Sequence, residues 1–149
     1  MWSALLLVNI ALACYSAGAA WLAEVNWQLW RFVGTDHFTE YHTAWWRSVW
    51  WAIFPVAAAS LLGICAQLVW RPPAPVWLLW LALGIQIVAY AGTALWWGPR
   101  QAKLRQATLA DGALDPDYVT LVRTNWIRVA LFTLASLIEF WLALLSFRR

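Results

Sequence analysis

The amino-acid sequence predicts an all-α integral membrane protein, a four-transmembrane-helix antiparallel bundle whose helices extend beyond the membrane on one side. Three observations carry this expectation. Of 149 residues, 64% are hydrophobic and 11% charged, too few ionised side chains to coat a water-soluble globule of this size. Four apolar runs, approximately Trp2 to Ala23, Ser48 to Trp70, Val76 to Trp97 and Trp126 to Phe147, can each cross a hydrocarbon core of about 30 Å, which takes roughly 20 helical residues. The chain also carries 15 tryptophans, and indole favours the interface where an apolar ring meets lipid and its N–H meets water. Backbone groups in lipid must bond within their own segment, so each run is a helix. An even number of spans puts both termini on one side, and the whole of 1–149 reads as a single domain.

The first run has no Lys or Arg before it and is too long for a typical signal core, so it reads as a retained helix. Its small residues Ala13, Ser16, Ala17, Gly18 and Ala20 permit close backbone approach, which predicts a central place in the bundle. Gly34 is a stop for this helix and Asp36 an N-cap for the next. Pro55 lies inside the second span, where it crowds the carbonyl of Trp51 and predicts a kink. Arg71-Pro72-Pro73-Ala74-Pro75 forces a tight link, with Pro75 suited to a first helical turn. Pro99 predicts a second kink, followed by a turn over Ala107 to Leu114. Asp115-Pro116 is a cap with a first-turn proline, starting the fourth helix about ten residues ahead of its apolar part.

On this reading the two long connections share one side, the loop side, which carries Arg31, Arg47, Arg100, Lys103, Arg105, Arg123 and Arg128. The terminus side carries Arg71, Arg148 and Arg149. The bias predicts loops in the cytoplasm and both termini outside, which is the periplasm if the membrane is a bacterial inner one. Basic residues that are dispersed around apolar runs, rather than striped, set nucleic acid aside as a partner. Cys14 and Cys65 fall in apolar stretches without a CxxC or Cys/His spacing, and no metal site is assigned. The sequence also lacks a Gly-rich phosphate loop, a Ser/His/Asp arrangement and HExxH, which weighs against hydrolases and nucleotide enzymes.

Two groups of polar residues need a reason. Glu139 falls near the middle of the fourth apolar run, where an ionised carboxylate costs about 2.5–3.5 kcal/mol even on a lenient insertion scale. Asn9 lies at a similar depth in the first run and Gln86 near the midplane of the third. They make either a proton or quinone site, or a protonated carboxyl bonded to amides that serves only helix association. At the loop side, Glu24, Gln28 and Arg31 share a helix face. His37, Glu40, Tyr41, His42 and Arg47 are expected near them, together with Arg100, Gln101, Arg123, Asn125 and Arg128. Such a mouth can hold an anionic head group, a cofactor or a small substrate, or can simply close the bundle end with salt bridges. His37 and His42 point about 140° apart on one helix, so they cannot pair on a metal, but His42 alone is a candidate axial ligand to haem or a pigment. Asn125 and Arg128 share a face expected to meet the second helix, with Glu40 or Glu24 holding Arg128. On a structural reading Arg128→Ala is then destabilising and His42→Ala nearly silent; on a ligand reading His42→Ala removes the cofactor without loss of stability.

Tryptophans 21, 27, 30, 45, 46, 50, 51, 96, 97 and 126 concentrate on the loop side, and an aromatic belt accounts for most. The doublets Trp45-Trp46 and Trp50-Trp51 cannot all share one face, so some must meet another protein or a flat ligand.

The strings Val25-Asn26-Trp27-Gln28-Leu29-Trp30-Arg31-Phe32-Val33-Gly34, Phe38-Thr39-Glu40-Tyr41-His42 and Leu121-Val122-Arg123-Thr124-Asn125-Trp126-Ile127-Arg128 resemble a largely uncharacterised set of bacterial four-helix inner-membrane proteins. That set is distantly similar to the anthrone-oxygenase-related group. The resemblance implies further histidines after the Tyr-His pair and after the third span, and an acidic residue after the second-span proline. Here those stretches read Thr43-Ala44-Trp45-Trp46, Gly98-Pro99-Arg100-Gln101 and Val56-Ala57-Ala58-Ala59, so the groups that would bind metal or move protons in the family are missing. The first expectation is therefore a non-catalytic accessory subunit of a larger inner-membrane assembly, of a respiratory or photosynthetic kind, with other membrane subunits as partners. The alternatives are an oxygenase-like enzyme using His42, Glu40 and Arg128, and a binder of quinone, haem or pigment.

Overall fold

The computed structural model describes residues 2–104 and 115–148. The turn expected over Ala107 to Leu114, and the basic residues Arg105 and Arg149, lie outside the described residues. Helix α1 (Trp2–Leu29) ends in a tighter turn over Trp30–Phe32. Helices α2 (Thr35–Ala52) and α3 (Phe54–Val69) make the second span. The third consists of α4 (Val76–Gly92), a π-helical turn over Thr93–Trp97 and α5 (Gly98–Leu104), and the fourth is α6 (Pro116–Phe147). All four units are long and apolar enough to cross a membrane, and no strand occurs among the described residues. Large apolar side chains such as Leu22, Leu62, Leu95 and Leu137 are exposed on the outside, which only lipid can cover favourably.

The helix ends follow the expected chemistry with two corrections. Gly34, and not Asp36, stands at the cap of α2, with Asp36 in the first turn, where a carboxylate still favours the positive helix end. Pro75 stands just before α4 instead of inside its first turn. The fourth helix is capped as expected: Asp115 Oδ1 accepts the N–H groups of Asp117 at 2.6 Å and Tyr118 at 3.4 Å. Asp115→Ala should therefore lower stability by about 0.5–2 kcal/mol and unravel the first turn of α6, read as lost helical ellipticity and melting temperature; an unchanged melting temperature would show the cap to be idle.

Both prolines break their spans without ending them. Pro55 has no N–H for the Trp51 carbonyl, and α2 gives way to α3 at Ile53. The Ala52 carbonyl beside this break accepts the Tyr15 hydroxyl of α1 at 3.0 Å. At Pro99 the third span widens beforehand into a π turn closed by the Gly98 N–H on the Thr93 carbonyl. A Cβ on Gly98 would lie 2.8 Å from that carbonyl oxygen, so only glycine fits the turn as it stands.

Packing centres on the α1–α6 seam, with α3 on the other flank of α1 and α4 on α6. The small face of α1 is used there, with Ala13, Ser16, Ala20 and Ala23 all buried, although Gly18 is exposed. The more enclosed helix is α6, not α1: half of its most apolar window is buried, against a third for the first span. At the loop side the core is aromatic. Trp27, Trp30 and Trp97 are buried with Phe38 and Tyr118 and so stand outside the expected belt, whereas Trp21, Trp50, Trp51, Trp96 and Trp126 are exposed. Helix α2 stands apart. Among the described residues its backbone packs chiefly on α3, and aromatic side chains, with cavities beside them, stand between it and much of the bundle.

Candidate functional site

Among the described residues, polar clusters and hollow regions occur inside the bundle, and the first of them ties the spans together. Asn9 Nδ2 of α1 donates to Glu139 Oε1 of α6 at 2.9 Å, and Gln67 Nε2 of α3 donates to Glu139 Oε2 at 3.2 Å. About two turns further along α3, Ser60 and Gln86 of α4 exchange hydrogen bonds of 3.1 and 3.3 Å. All five side chains are buried. Gln67 stands close to the end of α3 at Val69, so the Glu139 cluster lies in the terminus-side half rather than at mid-bundle. Sequence reasoning brought Glu139 and Asn9 together but missed Gln67 and Ser60. Gly63 makes the arrangement possible, since a Cβ there would collide with Asn9 Oδ1. Each of these donors ends on a protein acceptor, which is the geometry of interhelical association.

The second region is the loop-side mouth, which gathers fewer residues than expected. Glu24 is buried and its carboxylate accepts Gln28 Nε2 at 2.8 Å and Asn125 Nδ2 at 2.7 Å. Arg128, one turn along α6, acts electrostatically on Glu24 and places its guanidinium 4.8 Å from the Trp27 ring and 5.9 Å from that of Trp97. Asn125 and Arg128 therefore turn to the first helix, not the second. Of the two proposed carboxylates for Arg128, Glu24 is beside it, while Glu40 is exposed. His37, Arg31, Arg47 and Arg123 are likewise exposed; Arg31 lies over Phe32. Tyr41 bonds Asn26 at 2.8 Å, and Arg100 and Lys103 pair loosely with Asp117 at 3.6 and 3.7 Å. His42 is buried inside an aromatic cage, with ring centroids of Trp30 at 5.1 Å, Phe38 at 5.8 Å and Trp45 at 6.2 Å. Among the described residues no group of three His, Cys, Asp or Glu side chains is placed to hold a metal.

The third region is a cavity of about 620 Å³ between α1, the α2–α3 junction and the third span, closed at the back by α6. Trp45, Trp46 and Trp50 wall its α2 side, so three of the four doublet tryptophans face hollow space. The fourth, Trp51, is 84% exposed. The interior is apolar, formed by small residues of α1 and α3 with Leu61 and Phe132 at depth. Its polar groups are few. Arg128 and Gln101 stand towards the loop side, and Tyr90 lies deeper, its hydroxyl near Ser16. Gln101 Nε2 and Arg128 Nε are buried and meet no acceptor among the described residues. His42 does not line this space. A second cavity of about 470 Å³ lies between α1 and α2 and shares Trp45, Val49 and Ile53 with the first. The cavities exist because the helix break at Ile53 holds α2 away from the bundle and because α1 offers mostly alanine there. The sequence signal for them was the doublets themselves: bulky rings facing a run of small residues.

These features define a four-span helical membrane bundle with an aromatic-walled internal cavity. Comparison with family models, curated proteins and solved structures returns no match.

Proposed function

We propose that the protein binds a lipid-soluble molecule bearing a flat ring, held in the cavity between α1, α2 and α5. The observation that carries this reading is the cavity wall, in which Trp45, Trp46 and Trp50 face small and aliphatic side chains across about 620 Å³. Concave, mostly apolar sites with a few convergent polar groups are the usual form of small-molecule sites, and indole rings stack on flat partners. Of the three ring classes raised by the sequence, quinone fits better than haem or pigment, because the His42 imidazole lies in its own aromatic cage and not on the cavity wall. The oxygenase-like reading draws no support from the geometry: Glu40 is exposed, His42 is caged and Arg128 belongs to α1's side of the bundle.

A role as an accessory subunit of an inner-membrane assembly, with cytoplasmic loops and periplasmic termini, is compatible with ligand binding. Trp51, exposed on the lipid face next to the helix break, supports it, since a tryptophan in that position is a candidate anchor for a neighbouring subunit.

Ala58 lines the cavity while its own position is exposed, so Ala58→Phe should fill the space without crowding the core. Mass spectrometry of small molecules extracted from gently purified protein is expected to find a ring-bearing lipophile with the wild type that is absent from Ala58→Phe. Identical extracts from the two proteins, both folded, would overturn the reading.

A further inference from the structure

We infer that the cavity selects a neutral, acceptor-bearing head group, the carbonyls of a quinone-type ring, and rejects anionic lipophiles of similar size; this deepens the ligand-binding reading above and rests on it. At the loop-side end of the cavity the buried polar atoms without a partner among the described residues are donors. Gln101 is 3% exposed and its Nε2 has no acceptor among the described residues. Arg128 is 8% exposed, lines the same space, and makes no ion pair within salt-bridge distance among the described residues. A guanidinium has only donors, and buried donors without partners are costly unless a ligand or water meets them. A head group that only accepts hydrogen bonds completes both.

The sign of the site separates neutral from charged acceptors. An isolated arginine in an apolar cavity would favour a carboxylate or phosphate. Here Glu24, buried against Trp27's helix face, bonds Gln28 and Asn125 and acts on Arg128 through space. The pair has no net charge, so an anion entering the cavity would be desolvated without a free positive charge to compensate it. A ring carbonyl carries no such penalty and still receives the donors. Depth agrees with this placement. Arg128 and Gln101 stand at the loop-side end, while Phe132, one turn further along α6, and Leu61 of α3 offer an apolar continuation suited to a hydrocarbon tail.

The test uses the full chain in phosphatidylcholine nanodiscs, with decylubiquinone and 9,10-dibromostearate as probes, both of which quench tryptophan. Saturable quenching that Ala58→Phe lacks defines cavity binding. The wild type should bind decylubiquinone at least about tenfold more tightly than dibromostearate. Gln101→Leu and Arg128→Gln should each weaken the quinone, Arg128→Gln by about tenfold or more as a charge-assisted bond is lost, with melting curves confirming that both remain folded. Glu24→Gln uncovers the arginine and should raise dibromostearate affinity about tenfold while changing the quinone little. Dibromostearate binding as tightly as decylubiquinone to the wild type, or no gain in Glu24→Gln, would overturn the selectivity and leave the cavity reading standing. Quenching by both probes that is the same in wild type and Ala58→Phe would overturn the cavity reading and this inference together.

Discussion

Replacing Glu139 by leucine is expected to lower the stability of the folded bundle by about 1–3 kcal/mol while leaving membrane insertion intact or improved. Insertion gains because a carboxyl is removed from an apolar span. Folding loses because, among the described residues, Glu139 is the sole acceptor for two amides on different helices, Asn9 Nδ2 and Gln67 Nε2, and both would be stranded where no water competes. Asn9 Oδ1 and Gln67 Oε1 already lack partners among the described residues, so losing the carboxylate leaves both amides without any of these hydrogen bonds. The triple variant Asn9→Leu, Gln67→Leu, Glu139→Leu should recover most of the loss, since removing a whole polar group is far less costly than orphaning part of it. Denaturant unfolding in micelles gives the stabilities and protease protection the insertion. A single variant as stable as the triple would show that the carboxyl does not join α1, α3 and α6.

His42→Ala is expected to cost about 2–4 kcal/mol, the range for emptying a buried site by large-to-small substitution, without altering any ligand the purified protein carries. This reverses both expectations drawn from the sequence, in which His42 was either nearly silent or the holder of a cofactor. The reason is its burial among Trp30, Phe38 and Trp45, where truncation removes ring contacts from the aromatic core that seats α2 on the end of α1. Chemical denaturation and extract composition, measured on the same preparation, check the two halves of this expectation. Loss of a bound chromophore with unchanged stability would return His42 to the role of ligand.

The spans were legible because lipid imposes a single demand, about 20 apolar residues with an internally bonded backbone, and each of the four runs meets it. Proline and aspartate punctuation was legible for the same local reason: Asp115 caps α6 and Pro55 breaks the second span through bonds within a few residues. The candidate site was legible only in composition. Glu139 announced itself as a carboxyl in lipid, but Gln67 gave no such signal, because an amide two residues from a helix end reads as interfacial until its height against α6 is known. Arg128 was singled out by its depth, yet its face was misassigned, since helical spacing gives which residues share a side and not which neighbour that side meets. The cavity was foreshadowed by the tryptophan doublets and not located by them, because hollow space depends on how far α2 leans out after Ile53, a property of the break and its neighbours together.

That lean ties the protein to the mechanics of its bilayer. Moving α2 outward from the cavity works against its aromatic seat on Trp30 and against the lipid around it. In a loosely packed, fluid membrane the seam between α2 and the bundle opens against little lateral pressure, whereas an ordered, sterol- or saturated-chain-rich bilayer presses the tryptophan wall inward. The volume open to a ligand is thus set jointly by the chain and by the membrane in which it sits.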